Sequence, residues 1–192
     1  MQTKEKNYFP PSLKATEGQI KFSLALVLCL LVRLIPFRAP NIEPIMATTM
    51  PFSKAYGALT GFSFAVLSIL LYDLATHTLG VQTLFTAGAY GAVALAAAYY
   101  FQKKQGSVSD YVKFAIIGTL FFDALTGLTV GPLFFHESFM GALVGQIPFT
   151  LLHLLGNIAL AAILSPAIYK ILIRKKERAG PVAINIFNPK II

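Results

Sequence analysis

The side chains best able to do chemistry in this chain sit where they are costly, inside or at the edges of long apolar runs. Arg33, Tyr72, Asp73, Gln82, Thr83, Asp123, His136 and Glu137 interrupt such runs, and Arg38, Asn41, Glu43 and His77 lie close by in sequence. An ionisable group in a bilayer normally faces protein or water, pairs with a neighbour, and marks a solute or ion path. Together these residues offer donors, acceptors and both signs of charge, the equipment for holding a small polar solute. Each also has a plainer reading: Arg33 can snorkel to the interface, Arg38 and Glu43 can be loop charges, Asp73 and Asp123 can close helix ends, and His77, His136 and Glu137 can be solvated loop residues. His153 and Asn157, four positions apart, share a helix face and serve either interhelical hydrogen bonding or a pocket floor. Tyr90 and Gln146 share that ambiguity.

Catalytic patterns are sparse by comparison. The chain contains no Gly-Lys pair, so it has no phosphate-cradling GxxxxGK[ST] loop, and HExxH, CxxC and GxSxG are absent as well. With three widely spaced histidines and a single cysteine, Cys29, we expect no enzyme activity, no cofactor, no metal site and no internal disulfide.

The elements that must position these residues follow from composition. Of 192 residues, 56% are hydrophobic, and the mean hydropathy is +0.67, which suits a bilayer better than a water-soluble core. About 20 apolar residues cross a hydrocarbon layer of roughly 30 Å. The spans expected are Ile20–Phe37, Ile42–Phe52, Ala55–Ala75, Val81–Phe101, Tyr111–Leu128 and Leu143–Ile173, with the second too short for a full crossing on its own. The last is long enough to tilt, to kink near Pro148 or Pro166, or to project from the membrane. A Gly- and Pro-containing loop is expected near Thr129–Ala142.

The net charge of +8 raises the question of nucleic acid, but its distribution points to the positive-inside rule instead. If the short second segment counts as a crossing, every Lys and Arg except Arg33 and Arg38 falls on one side: Lys4, Lys6, Lys14, Lys21, Lys54, Lys103, Lys104, Lys113, Lys170, Arg174, Lys175, Lys176, Arg178 and Lys190. The expectation is therefore an all-α integral membrane protein of about six transmembrane helices with both termini cytoplasmic. It has a cytoplasmic segment at 1–19, a membrane domain at 20–173 and a basic tail at 174–192. A cleavable secretory signal is disfavoured, since the first apolar run is long for a signal core and no clear cleavage site follows. In this topology Arg33, Tyr72, Asp73, Gln82, Thr83, Asp123, His136 and Glu137, with Arg38, Asn41, Glu43 and His77 close by, collect in the external halves of the spans, as one outward-facing basin. Pairs of small residues four apart, such as Gly57 with Gly61 and Ala94 with Ala98, allow close helix approach or partner docking.

Four segments taken together carry a resemblance: RLIPFRAPNIEPI after the first span, GALTGFSFAVLSILLYDL in the third, GVQTLFTAGAYG at the fourth and IPFTLLHLLGN in the sixth. They resemble the membrane S component of energy-coupling factor (ECF) vitamin importers over roughly Phe22 to Lys175. The resemblance implies a six-helix subunit of a prokaryotic cell membrane that binds one vitamin-like micronutrient near the outer surface. It also implies partners, namely a separate membrane coupling protein and two cytoplasmic ATPases. Arg38–Pro44 would then cover the pocket, and Ala25 with Cys29 would stand where the family carries a docking pair of alanines. No thiamine, riboflavin or biotin signature is present, and a cobalamin-like ligand is one expectation among others. The substrate-binding set is Arg33, Asn41, Glu43, Tyr72, Asp73, Gln82, Thr83, Asp123, His136, His153 and Asn157. A second class of function stays open: a non-enzymatic scaffold resembling the rod-shape determining membrane proteins, which binds no small ligand.

Overall fold

The computed structural model describes residues 17–37 and 41–178, the last five as backbone only. Six α-helices make up the described chain: α1 (Glu17–Arg33), α2 (Ile45–Tyr56), α3 (Ala58–Ala75), α4 (Val81–Phe101), α5 (Val108–Phe134) and α6 (Phe139–Arg178). Four of them, α3 to α6, are each long and apolar enough to cross a membrane. Their outer faces carry side chains such as Leu59, Leu84, Ile117, Leu155 and Ile163, all more than half exposed. Such a surface would be unfavourable in water and is ordinary in lipid.

The short α2 is the centre of the bundle. Its 12 residues rise only about 18 Å, well under the ~30 Å hydrocarbon layer. Nine consecutive residues, Ile45–Ser53, are buried, so no face of that stretch meets lipid; α1, α3, α4, α5 and α6 pack around it. Protein thus replaces the bilayer as its solvent, which removes the length requirement. Ser53 Oγ donates to Ala94 O across 3.1 Å, and Ser165 Oγ donates to Ala47 O across 2.7 Å. Phe52 stacks on Phe64 with centroids 5.0 Å apart, and Phe22 meets both rings edge-on at 5.8 and 5.6 Å. A single residue, Gly57 at φ 92, turns the chain from α2 into α3, a backbone state that side chains disfavour. Just beyond, a Cβ on Gly61 would run into Ser53 Oγ.

Short connections make sequential helices antiparallel neighbours, and side-chain contacts fix which ends meet. Lys21 Nζ donates to Ile171 O and Leu172 O at 3.2 and 3.3 Å, Tyr56 OH to Leu172 O at 3.3 Å, and Lys54 Nζ to Lys104 O at 2.5 Å. Lys21, Lys54, Lys103, Lys104 and Lys170 therefore share one end, the lysine end. Arg33, the residues before α2 and the C-terminal turns of α3 occupy the other half.

The boundaries differ from the expected ones for identifiable reasons. α5 starts at Val108 because Ser107 and Asp110 form a capping box: Ser107 Oγ accepts from Asp110 N at 3.2 Å and Asp110 Oδ2 accepts from Ser107 N at 3.1 Å. It then continues to Phe134 through Pro132, and α6 begins at Phe139. The loop expected near Thr129–Ala142 thus shrinks to the turn at 135–138. Neither Pro148 nor Pro166 ends α6, which runs 40 residues. α1 stops at Arg33 rather than Phe37, and α2 is displaced toward Tyr56. Most of the segment at 1–19, the link residues Arg38 to Pro40, and the tail beyond Arg178 lie outside the described residues, with Lys4, Lys6, Lys14 and Lys190 among them.

Candidate solute-binding cleft

Arg33, the last residue of α1, sends its side chain back into the bundle, as helical side chains do. Its residue exposure is only 9%. Its Nη1 donates to Ser68 O on α3 at 2.9 Å, and Ser68 Oγ in turn donates to Phe64 O at 2.7 Å. The guanidinium lies 3.8 Å above the Tyr72 ring, a cation–π arrangement. Its Nε is 3.1 Å from Glu43 Oε2, and Tyr90 OH on α4 donates to Glu43 Oε1 at 2.6 Å. Arg33, Glu43 and Tyr90 thereby tie α1, the entry to α2, and α4 together around one carboxylate.

For Glu43 to reach Tyr90, midway along α4, the link after α1 must turn back into the bundle. Asn41, at φ 62, is suited to this because a short polar side chain tolerates the left-handed region. Its Nδ2 donates to Phe149 O on α6 at 3.3 Å. Gly156 lets the link approach α6, since a Cβ there would stand 3.0 Å from Asn41 O.

The opposite wall comes from α5 and α6. His153 Nδ1 and Asp123 Oδ1 are 2.7 Å apart with both residues almost fully buried. One turn away Asn157 Nδ2 donates to Thr119 Oγ1 at 2.8 Å. His153 Nε2, Asp123 Oδ2 and Asn157 Oδ1 are buried and without a hydrogen-bond partner, which is costly unless an occupant or water satisfies them. Phe122 and Phe149 pack their rings against the imidazole at 5.7 and 5.8 Å.

Between these walls is a cleft of about 250 Å³ lined by Arg33, Asn41, Glu43, Ile69, Thr86, Tyr90, Phe122, Thr126, Phe149 and His153. Of the residues expected from sequence, Arg33, Asn41, Glu43 and His153 line it. Tyr72 and Asp123 stand directly behind Arg33 and His153, and Asn157 sits a turn deeper. Asp73, Gln82 and Thr83 do not line it; they clasp the α3–α4 turn. Thr83 Oγ1 donates to Asp73 Oδ2 at 2.6 Å and accepts from Gly80 N at 3.1 Å, while Gln82 Nε2 donates to Thr78 O at 3.1 Å. His136 is exposed in the α5–α6 turn at φ 54, and His77 is exposed in the α3–α4 turn at φ 58. Arg38 lies outside the described residues. Cys29 is 3% exposed, and Ala25 packs against the same core. This small pair therefore faces inward, and the outer face of α1 is made by Leu24, Val27, Leu28 and Leu31.

Helical spacing accounts for lining residues that reading single polar interruptions passes over. Thr86 is four before Tyr90, Thr126 three after Asp123, and Phe149 four before His153. Among the described residues, no three His, Cys, Asp or Glu side chains gather where a metal ion could be held. Comparison of the chain with protein-family models, with characterised proteins and with solved structures finds no match.

Proposed function

We propose that this chain is the solute-binding membrane subunit of an importer of the ECF type, which captures a vitamin-like micronutrient from outside. The observation that carries this reading is the cleft itself. It is a polar, half-enclosed hollow in the half of the bundle away from the lysine end, built around the Arg33–Glu43 pair and the Asp123–His153 pair. Buried charge of this kind is expensive in a membrane and is characteristic of solute paths. By the positive-inside rule the lysine end is cytoplasmic, so the cleft faces outward in a prokaryotic cell membrane. Six crossings with both termini inside follow in this reading, α2 crossing within the protein rather than within lipid. The chain lacks a phosphate-binding Gly-Lys loop, so the energy for transport comes from a membrane coupling protein and two cytoplasmic ATPases. Because Ala25 and Cys29 face inward, in this reading the coupling protein docks on another face of the bundle.

Size narrows the ligand. Drug-sized ligands occupy pockets of about 300–1,000 Å³, and the cleft of about 250 Å³ falls below that range. It favours a compact micronutrient and does not enclose a cobalamin-like one. The test is mass spectrometry of small molecules that co-purify with the detergent-extracted chain, followed by thermal-shift titration of each candidate. A saturable micronutrient whose binding is weakened by Glu43→Gln or His153→Gln is the expected result. A chain that carries no small molecule and is stabilised by none would overturn the proposal in favour of a membrane scaffold.

A further inference from the structure

We propose that the cleft selects a small, flat, cationic nitrogen compound that donates an N–H to Nε2 of His153, with Asp123 as the residue that aims the imidazole. The inference rests on the solute-binding reading and adds the chemical class of the solute.

The geometry assigns the roles atom by atom. Asp123 Oδ1, 2.7 Å from His153 Nδ1, holds the ring proton on Nδ1, which leaves a lone pair on Nε2. Carboxylates set imidazole tautomers in this way wherever histidine presents Nε2 to a ligand. Nε2 is fully buried and has no partner, on a residue that lines the cleft and is 2% exposed. Asp123 Oδ2 is likewise an unpartnered buried acceptor. The orphaned atoms of this pair are therefore both acceptors, and an occupant of the cleft that satisfies Nε2 must bring a donor.

The rest of the described lining agrees on charge. Its cation, Arg33, is already paired in charge with Glu43, donates to Ser68 O and lies over the Tyr72 ring, while its Nε, 3.1 Å from Glu43 Oε2, is buried without a hydrogen bond. That leaves the Asp123 carboxylate as the described charge without a cationic partner when His153 is neutral. Three aromatic side chains, Tyr90, Phe122 and Phe149, line the same hollow, and aromatic faces attract cations and suit flat ones. The titratable groups around His153 and the cleft are Arg33 from α1, Glu43 ahead of α2, Tyr72 from α3, Tyr90 from α4 and Asp123 from α5. An anion in the cleft would instead meet the Glu43 carboxylate and an acceptor nitrogen, with the Asp123 carboxylate behind that nitrogen.

Three probes of nearly one shape and different charge test this on the purified full-length chain: benzamidinium, benzamide and benzoate, read by thermal shift and by isothermal titration. Benzamidinium is expected to bind about tenfold or more tighter than benzamide, since hydrogen bonds between charged partners are roughly twice as strong as neutral ones, and benzoate is expected not to bind. Asp123→Asn and His153→Gln are each expected to remove the preference for benzamidinium over benzamide. The order of the three probes on the unaltered chain decides the matter even if a variant fails to fold. Benzoate binding as well as benzamidinium, or an unchanged preference in a folded Asp123→Asn chain, would overturn the inference while leaving the solute-binding reading standing. If none of the probes shifts the protein, the inference falls; if no micronutrient stabilises it either, the solute-binding reading falls too.

Discussion

Replacing Arg33 by Met is the perturbation whose cost can be worked most fully from the structure. Met keeps the length and apolar bulk that pack near the end of α1, but it removes the partner 3.1 Å from Glu43 Oε2. It also removes the donor to Ser68 O at 2.9 Å and the cation over Tyr72 at 3.8 Å. The Glu43 carboxylate would then be held by the Tyr90 hydroxyl alone among its described side-chain contacts, at 2.6 Å, in a low-dielectric interior. Breaking a buried pair by removing one partner costs about 3–5 kcal/mol, because the remaining charge has no compensation. Glu43→Gln is milder: Arg33 keeps Ser68 O and the Tyr72 ring, and the amide oxygen still accepts, so about 1–3 kcal/mol is expected, the scale of a hydrogen bond to a charged group. In the double variant no buried charge is stranded at Glu43. Its destabilisation should fall short of the sum of the single ones by about 0.5–3 kcal/mol, the range for residues in contact. Reversible unfolding in mixed detergent micelles, followed by circular dichroism, gives all three values. Arg33→Met within about 1 kcal/mol of the unaltered chain, or strict additivity in the double variant, would refute a buried Arg33–Glu43 pair and return Arg33 to the membrane interface.

Other outcomes test separate parts of the molecule. Gly61→Val drives a side chain into Ser53 at the α2–α3 contact, so a loss of about 1–3 kcal/mol is expected from overpacking, measured by the same unfolding assay. Thr83→Val breaks the clasp to Asp73 Oδ2 and Gly80 N; it should cost about 1–2 kcal/mol and leave the affinity of any cleft ligand within twofold by isothermal titration. Single cysteines placed at Lys103 and at His136, in a Cys29→Ala chain, should label from opposite sides of intact membranes with an impermeant maleimide. Labelling from the same side would refute the antiparallel order of α4, α5 and α6 in the bilayer.

Elements and site were legible in the sequence to different degrees, and the physics of each signal explains the difference. α3 and α4 were readable nearly to the residue, because apolar runs bounded by Gly, Thr and polar turns leave few alternatives. The end of α5 was not, since Gly127, Gly131 and Pro132 usually mark loops in water. In the folded helix Gly127 lies directly against Gln146 on α6, and a Cβ on Gly131 would stand 2.5 Å from Glu137 Oε2 in the turn that follows. Arg33 and His153 were visible as costly interruptions, and the grouping of Arg33, Glu43 and Asp123 in one half of the bundle followed from counting crossings, while His153 stayed open between an interhelical bond and a pocket floor. What could not be read was partnership. Asp73 and Asp123 look alike in sequence, each a lone carboxylate in the C-terminal half of an apolar run, yet one clasps the α3–α4 turn through Thr83 and the other lies buried against His153. The discriminating information is long-range: it depends on which helix face α6 brings across from α5.

The same reasoning explains why a 12-residue helix stands at the centre of a membrane-sized bundle. A full-length α2 would fill the interior from end to end and leave no hollow. By beginning at Ile45, at the depth of Tyr90 rather than at the bundle's end, α2 leaves the other half of its column vacant. The chain that would have extended it delivers Asn41 and Glu43 into that space instead. The cost of ending a helix inside the protein is a set of unpaired amides at its N-terminus, and Glu43, just ahead of it, puts negative charge where the helix dipole favours it. In this arrangement the shortness of α2 and the existence of the cleft are one feature. Lengthening α2 by a turn with Ala residues inserted after Pro44 should therefore abolish ligand binding while leaving the contacts of its lower half, Ser53 with Ala94 and Phe52 with Phe64, in place. Retained binding in such a folded variant, judged by thermal shift, would show that the hollow does not depend on where α2 begins.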